Sequence, residues 1–97
     1  MASTVDDLTI DYTEDDKLVI RQLDKEVLTK GAWSTVVYRF EEWNRTKEEY
    51  GPNKYSIRRY QKRNDEYRQK SKFNITNRGQ AEKLIAILQK WLDENPE

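Results

Sequence analysis

The chain contains no cysteine and no histidine among its 97 residues. Without cysteine it can form neither a disulfide framework nor a thiolate metal site. Without histidine it lacks the most common general base, and its sequence places no nucleophile beside a base. We therefore expect no enzymatic activity, no small-molecule substrate, no metal and no cofactor.

Long apolar stretches are missing as well, because no run approaches the roughly 20 residues that a membrane-spanning helix needs. The N terminus has no basic stretch followed by an apolar one, so no secretion signal is expected. Together these absences predict a soluble intracellular protein with no membrane partner.

An excess of charge is also lacking, since 18 basic and 18 acidic residues cancel. The two signs are nevertheless separated along the chain. Residues 1–16 hold six acidic groups and no basic one, whereas residues 54–78 hold nine basic groups and two acidic ones. Because a polyanion responds to local charge at close range, the second segment is the candidate for binding one.

Length and polarity predict one small domain with a thin core. The 97 residues suffice for a single domain at most, and the hydrophobic fraction is 35%. Aromatic residues reach 11%, which argues against a disordered chain. Chains this short are often stabilised by association, so a homodimer is expected. Residues 1–16 are predicted to form a flexible acidic tail and residues 17–95 the domain.

Four segments rich in β-branched and aromatic residues predict β-strands. Gly51-Pro52-Asn53 indicates a loop between the second and third, and Asn64-Asp65 a hairpin turn between the third and fourth. The predicted strands span residues 17–29, 33–43, 54–63 and 67–75.

Alternation along these strands assigns their side chains to two faces of the sheet. Val36, Tyr38 and Phe40 form an apolar face suited to a core, while Trp33, Arg39 and Trp43 point the opposite way. In the last two strands the apolar residues share one side, so their basic residues should coincide on the other. This basic face is predicted to carry Lys54, Arg58, Tyr60, Lys62, Arg68, Lys70 and Lys72.

The end of the chain predicts an amphipathic helix. Asn77 is a favourable N-cap, and Gln80 three residues later completes a capping-box pattern. Apolar residues follow at helical spacing, in a stripe wider than one thin sheet needs. The excess predicts a two-fold contact with a second copy. The residues assigned to this dimer interface are Leu84, Ile87, Leu88 and Trp91.

Cations interleaved with aromatic side chains on a sheet are typical of proteins that bind single-stranded nucleic acid. Lys and Arg neutralise phosphates, and each unpaired base that stacks on an aromatic ring contributes about 1–3 kcal/mol. We therefore predict a non-enzymatic, largely sequence-independent single-stranded DNA-binding protein, with Arg39 and Trp43 among its contacts. The acidic tail is hypothesised to compete with DNA for the basic face.

Three alternatives stay open at this point. The partner is RNA in the first, because nothing in the sequence distinguishes the two nucleic acids. In the second the protein is an interaction module that uses the helix and the acidic tail. In the third the basic face is only the solvated side of a half-buried sheet.

Four stretches of the sequence form a recognisable set: Lys30-Gly31-Ala32-Trp33, Trp43-Asn44, Pro52-Asn53-Lys54-Tyr55-Ser56-Ile57-Arg58-Arg59-Tyr60, and Lys72-Phe73-Asn74-Ile75 before the capped helix. Through these stretches the sequence from about Val19 to Leu92 resembles the single-stranded DNA-binding domain of the Positive Cofactor Four family of transcriptional coactivators, in its small bacterial and phage members. The family usually has glycine where Lys72 stands and isoleucine where Phe73 stands.

The resemblance implies an α+β fold in which a four-stranded, curved antiparallel sheet precedes one C-terminal helix (ββββα), paired through the helices into a homodimer. It implies sheet channels that hold single strands in transcription, replication or recombination, with proteins of those processes as further partners. By position, Arg58, Tyr60 and Lys70 would face DNA, and Trp43 would stack on a base. It also implies the cytoplasm of a bacterium or phage-infected cell, or the nucleus if the source is eukaryotic.

Overall fold

One curled antiparallel sheet and one C-terminal helix make up the structure, a computed structural model that describes residues 4–95. The elements are a short 3-10 helix Val5–Asp7, β1 Tyr12–Glu14, β2 Lys17–Thr29, β3 Trp33–Asn44, β4 Glu49–Tyr50, β5 Lys54–Arg63, β6 Glu66–Ile75 and α1 Arg78–Glu94. The strand order is β1-β2-β3-β5-β6, with β4 paired to the far end of β3. The predicted α+β class is thus confirmed.

The sheet has six strands, where four were expected. The four long strands match the predicted segments to within one residue at each end. The two additional strands, β1 and β4, are three and two residues long, too short to leave an alternating pattern in the sequence. The predicted turn at Asn64-Asp65 is confirmed, because both residues have the positive φ values, 53° and 61°, of a two-residue hairpin.

Strand register decides which side chains share a face, because residues directly opposite each other point the same way. Val36 lies opposite Arg58 and Tyr38 opposite Ser56. We term this side the tail face, since the N-terminal segment covers part of it. The other side, the helix face, carries Val37 opposite Ile57. The expected core of β3 is confirmed on the tail face, but the apolar residues of β5 lie on the helix face.

A bulge in the β5–β6 hairpin changes the predicted alternation. Arg58 pairs with Lys72 and Arg59 with Ser71, but Tyr60 pairs with Gln69, so Lys70 lies in the bulge. Beyond it the alternation of β6 is reversed relative to β5. Arg68 therefore lies on the helix face, whereas the sequence pattern assigned it to the basic face.

The N-terminal segment packs against the tail face, in contrast to the flexible tail expected for residues 1–16. Val5, Leu8 and Ile10 are buried in one cluster with the core of β3. The Lys25 ammonium donates to the backbone carbonyls of Val5, Asp6 and Leu8 at 2.5, 3.1 and 2.8 Å. Three apolar residues spaced irregularly among acids are enough to fill the shallow sheet face, although they form no periodic pattern. Residues 1–3 lie outside the described part.

Helix α1 begins as predicted but packs little. The Asn77 side chain accepts from the Gln80 amide at 2.8 Å, which confirms the N-cap, and the Gln80 side chain accepts from the Thr76 amide at 3.1 Å. No residue of α1 is buried. The described chain measures 49 × 39 × 17 Å, so it is thin in one direction. Within residues 4–95 no helix is long and apolar enough to cross a membrane.

Candidate nucleic-acid interface

The nine predicted DNA contacts are divided between the two faces. Register and alternation place five on the tail face, three on the helix face and one in the bulge. The tail face carries Lys54, Arg58, Tyr60, Lys62 and Lys72; the helix face carries Arg39, Trp43 and Arg68; the bulge carries Lys70.

The half of the tail face formed by β5 and β6 is basic, with Lys62 and Lys72 exposed and Ser56, Tyr60 and Tyr67 buried. Arg58 lies opposite Lys72 in the hairpin. Its guanidinium donates to neutral partners, the Ser56 hydroxyl at 3.1 Å and the Gln69 carbonyl at 3.0 Å. Lys72 is exposed and forms no ion pair within the described residues. Both charges are therefore held on one surface without being neutralised by a carboxylate.

Two more cations flank the β5–β6 half of the tail face, one at each end of β5. Lys54 pairs with the Glu42 carboxylate at 3.0 Å, a partly exposed contact that contributes little to stability. Lys62 lies 5.5 Å from the Tyr67 ring centroid. With Arg58 and Lys72 they define what we term the basic strip.

Tyr60 cannot serve as a stacking platform in this conformation, because its side chain is 5% exposed. Its hydroxyl lies 2.9 Å from that of Tyr38. Burial, together with this contact, raises the pKa of Tyr38 above its ordinary value, so Tyr38 stays neutral. The aromatic rings that β3, β5 and β6 place on the tail face are all buried: Tyr38, Phe40, Tyr60 and Tyr67.

The covering segment is held by apolar contact and by Lys25 rather than by charge pairing with the basic strip. Within residues 4–95, Asp6, Asp7 and Asp11 form no ion pair with a basic side chain. Burying an aliphatic side chain contributes about 1.5–3 kcal/mol, and three are buried here. A single base stack, at about 1–3 kcal/mol, does not compensate for their removal. The segment therefore acts as a fixed wall beside the strip.

Trp43 belongs to a cluster at the far end of β3. Its ring meets that of Tyr50 edge-on at 5.1 Å. The Lys17 ammonium lies 3.7 Å from the Trp43 centroid, and the Arg21 guanidinium lies 3.8 Å from the Tyr50 centroid and pairs with Glu41. These contacts connect β2, β3 and β4, so Trp43 has a structural role and one of its faces is already occupied.

The exposed rings of the long strands lie on the helix face instead. Trp33 is 44% and Phe73 62% exposed. The Arg59 guanidinium stacks 4.7 Å from the Trp33 centroid. Alternation along each strand puts Trp33 opposite the core side of β3 and Arg59 on the same side of β5 as Ile57, but only the pairing of β3 with β5 brings the two residues together.

The predicted dimer residues lie on α1 beside two open grooves. Leu84 and Ile87 are half-buried, whereas Leu88 and Trp91 are 48% and 59% exposed. Leu84 and Ile87 line a groove of about 470 Å³ with Phe73. On the sheet, Val37, Ile57 and Phe73 form a continuous apolar row across three strands. The helix and the row together leave an apolar surface that no other part of residues 4–95 covers.

Comparison of the chain with protein-family models, with curated proteins and with solved structures finds no match in any of the three. Among residues 4–95 no group of acidic side chains is arranged to hold a metal ion.

Proposed function

We propose that this protein binds single-stranded DNA along the basic strip and acts as a homodimer, in transcription, replication or recombination. The observation that carries the proposal is the basic strip itself. Four cations lie on one face of two adjacent strands, and one of them, Lys54, pairs with Glu42. Such a surface suits a run of phosphates.

The width of the strip favours one strand over a duplex. Two neighbouring strands span about 10 Å, at about 4.8 Å per strand spacing. The wall formed by the N-terminal segment limits the strip on one side, and its exposed acids, Asp6 and Asp7, repel a second phosphate backbone. Phosphate contacts carry no sequence information, so weak sequence preference is expected.

The apolar face of α1 supports the homodimer. A second copy related by a two-fold axis offers the same surface in return, so each helix can cover the partner's apolar row. With the helix faces joined, the basic strip of each copy stays accessible on the outside. This arrangement agrees with the Positive Cofactor Four resemblance, which rests on sequence alone.

The test is a titration with a fluorescent oligodeoxynucleotide of about 20 nucleotides, the matching duplex and the matching RNA, at low and moderate salt. We expect the single DNA strand to bind more tightly than the duplex. Arg58→Ala and Lys72→Ala should each lower the salt slope by about 0.7. Lys47→Ala, which removes an exposed cation between β3 and β4, is the control.

Each other outcome has a definite meaning. Equal or absent binding of both DNA forms contradicts the single-strand proposal and leaves a solvated basic face. Preference for the RNA oligomer assigns the strip to RNA. Tight binding that Arg58→Ala and Lys72→Ala leave unchanged moves the site away from the strip.

A further inference from the structure

Two kinds of group bind single strands, cations that contact phosphates and exposed aromatic rings that stack on bases, and in this sheet they lie on opposite faces. The basic strip lies on the tail face, where the aromatic rings of β3, β5 and β6 are buried. Trp33 and Phe73, the exposed rings of these strands, lie on the helix face. Phe73 belongs to the apolar row beside α1. Trp33 lies outside that row, and its ring contacts the guanidinium of Arg59.

Trp33 lies at the end of the sheet where two turns meet. The Lys62 amide donates to the Ala32 carbonyl at 2.7 Å, and the Tyr67 hydroxyl donates to the Gly31 carbonyl at 2.9 Å. These bonds fasten the β5–β6 hairpin to the β2–β3 turn. The surface is therefore continuous from Lys62 on the tail face, around this end, to Trp33 on the helix face.

Charge along this path is mainly positive. Trp33, Gln61 and Arg68 lie in one cross-strand row of the helix face, and Arg59 lies in the next. The Arg68 guanidinium meets the Glu66 carboxylate at 3.6 Å, an exposed and loose contact. Arg59 forms no ion pair within the described residues. An exposed indole beside the Arg59 guanidinium, with Arg68 two strands away in the same row, offers a stacking surface for a base and donors for the adjoining phosphates.

We propose that Trp33 and Arg59 form a second contact for the bound single strand, reached when the strand leaves the basic strip near Lys62 and turns around the end of the sheet. This inference rests on the proposed function and extends its site. The strip alone neutralises phosphates, and the second contact adds base stacking. Oligomers too short to reach around the end bind through the strip only.

The test compares oligothymidylates of about 8 and about 24 nucleotides, lengths chosen on either side of the usual site sizes. Arg59→Gln and Trp33→Leu should weaken binding of the long oligomer at least about fivefold, the lower end of one stacked base. Both variants should bind the short oligomer like the unmodified protein. Lys47→Gln removes a comparable exposed charge elsewhere and should leave both affinities unchanged.

A spectroscopic readout tests the same contact. In a protein with Trp43→Phe and Trp91→Phe, Trp33 is the remaining tryptophan. Its fluorescence should be quenched by the long oligomer and not by the short one. Sedimentation of each variant accompanies the titrations, so that a change in association is recognised.

The outcomes separate the two proposals. If the unmodified protein binds no oligomer, the proposed function fails. If it binds both lengths and Arg59→Gln and Trp33→Leu change neither affinity, the strip stands and the second contact is overturned. If the two variants weaken binding of both oligomers equally, the short oligomer also contacts Trp33. The proposal that the strand reaches Trp33 only after filling the basic strip is then overturned. Loss of the dimer in Arg59→Gln, with binding per dimer unchanged, assigns this corner to the second copy.

Discussion

The two ends of the chain differ in a way that their composition does not suggest. The acidic N-terminal segment has few apolar residues, yet Val5, Leu8 and Ile10 are 1%, 8% and 5% exposed. Helix α1 is rich in apolar residues, yet Ile85 and Leu92 are 67% and 65% exposed. The first end is buried against the sheet, whereas the second stays exposed among the described residues.

This contrast shows that burial depends on geometry as much as on hydrophobicity. The segment lies across the tail face and is anchored by Lys25, so three side chains suffice to cover the core of β3. Helix α1 follows the edge strand β6 directly, and the turn at Thr76 and Asn77 carries it away from most of the sheet. In the homodimer that we propose, a second copy covers this exposed end.

The largest effect should come from disrupting the dimer contact that we propose for α1. Leu88→Glu combined with Trp91→Glu places two charges in the apolar stripe. We expect the dissociation constant of the dimer to rise at least about 1,000-fold, which corresponds to about 4 kcal/mol. Because neither side chain is buried within one chain, circular dichroism should be unchanged. Sedimentation equilibrium measures the effect, with Lys90→Glu as the control. A monomeric unmodified protein would contradict the model of a covered helix.

The same leucine truncation at the two ends sharpens the comparison. Leu8→Ala should lower the free energy of unfolding by about 3 kcal/mol, as for other buried leucines. Leu92→Ala removes an exposed side chain and should have an effect that depends on protein concentration. Urea unfolding at two concentrations measures both. A loss near zero for Leu8→Ala would mean that the N-terminal segment is not part of the core, and a loss for Leu92→Ala that does not change with protein concentration would argue against cover by a second copy.

The anchor of the N-terminal segment should contribute less than its apolar residues. Lys25→Met keeps the length of the side chain but removes the ammonium donor, so the Leu8 carbonyl loses its partner and the Val5 carbonyl keeps only the Leu8 amide. We expect a loss of about 2 kcal/mol in the free energy of unfolding, because partly buried acceptors lose a charged partner. Lys47→Met is the matched control. Faster proteolysis near residue 8 in Lys25→Met alone would support the anchor, and unchanged stability would argue against it.

The smallest effect should come from the start of the helix. Asn77→Ala removes the cap on the Gln80 amide and should cost about 1 kcal/mol. Asn77→Asp keeps the acceptor and should restore most of the stability. Thermal unfolding of both variants measures the difference. If alanine and aspartate behave alike, the cap does not contribute.

Local features of the fold were predictable because they depend on near neighbours. The four long strands follow from runs of β-branched and aromatic residues, and the helix start follows from Asn77 with Gln80. The short strands β1 and β4 were missed because two or three residues carry no period. The candidate site was predictable in part: Lys54, Arg58, Lys62 and Lys72 share a face as expected, while the bulge moves Arg68 to the other.

Apart from the bulge that moves Arg68, the errors in the site arise from the pairing of β3 with β5. Alternation gives the two sides of each strand, but it does not show which side of one strand shares a sheet face with which side of its neighbour. The register places Arg58 beside Val36, so the basic strip and the buried aromatic core share the tail face. Tyr60 is therefore buried against Tyr38, and stacking must be sought at Trp33.

By itself, the sequence determined the long strands, the capped helix, the separation of charge and the apolar stripe of α1, since each depends on residues within a turn or a strand of one another. The tertiary structure alone decided the faces, the bulge, the burial of the N-terminal segment and the meeting of Trp33 with Arg59. These depend on contacts between residues far apart in the chain, where one shift in register moves every side chain to the opposite face.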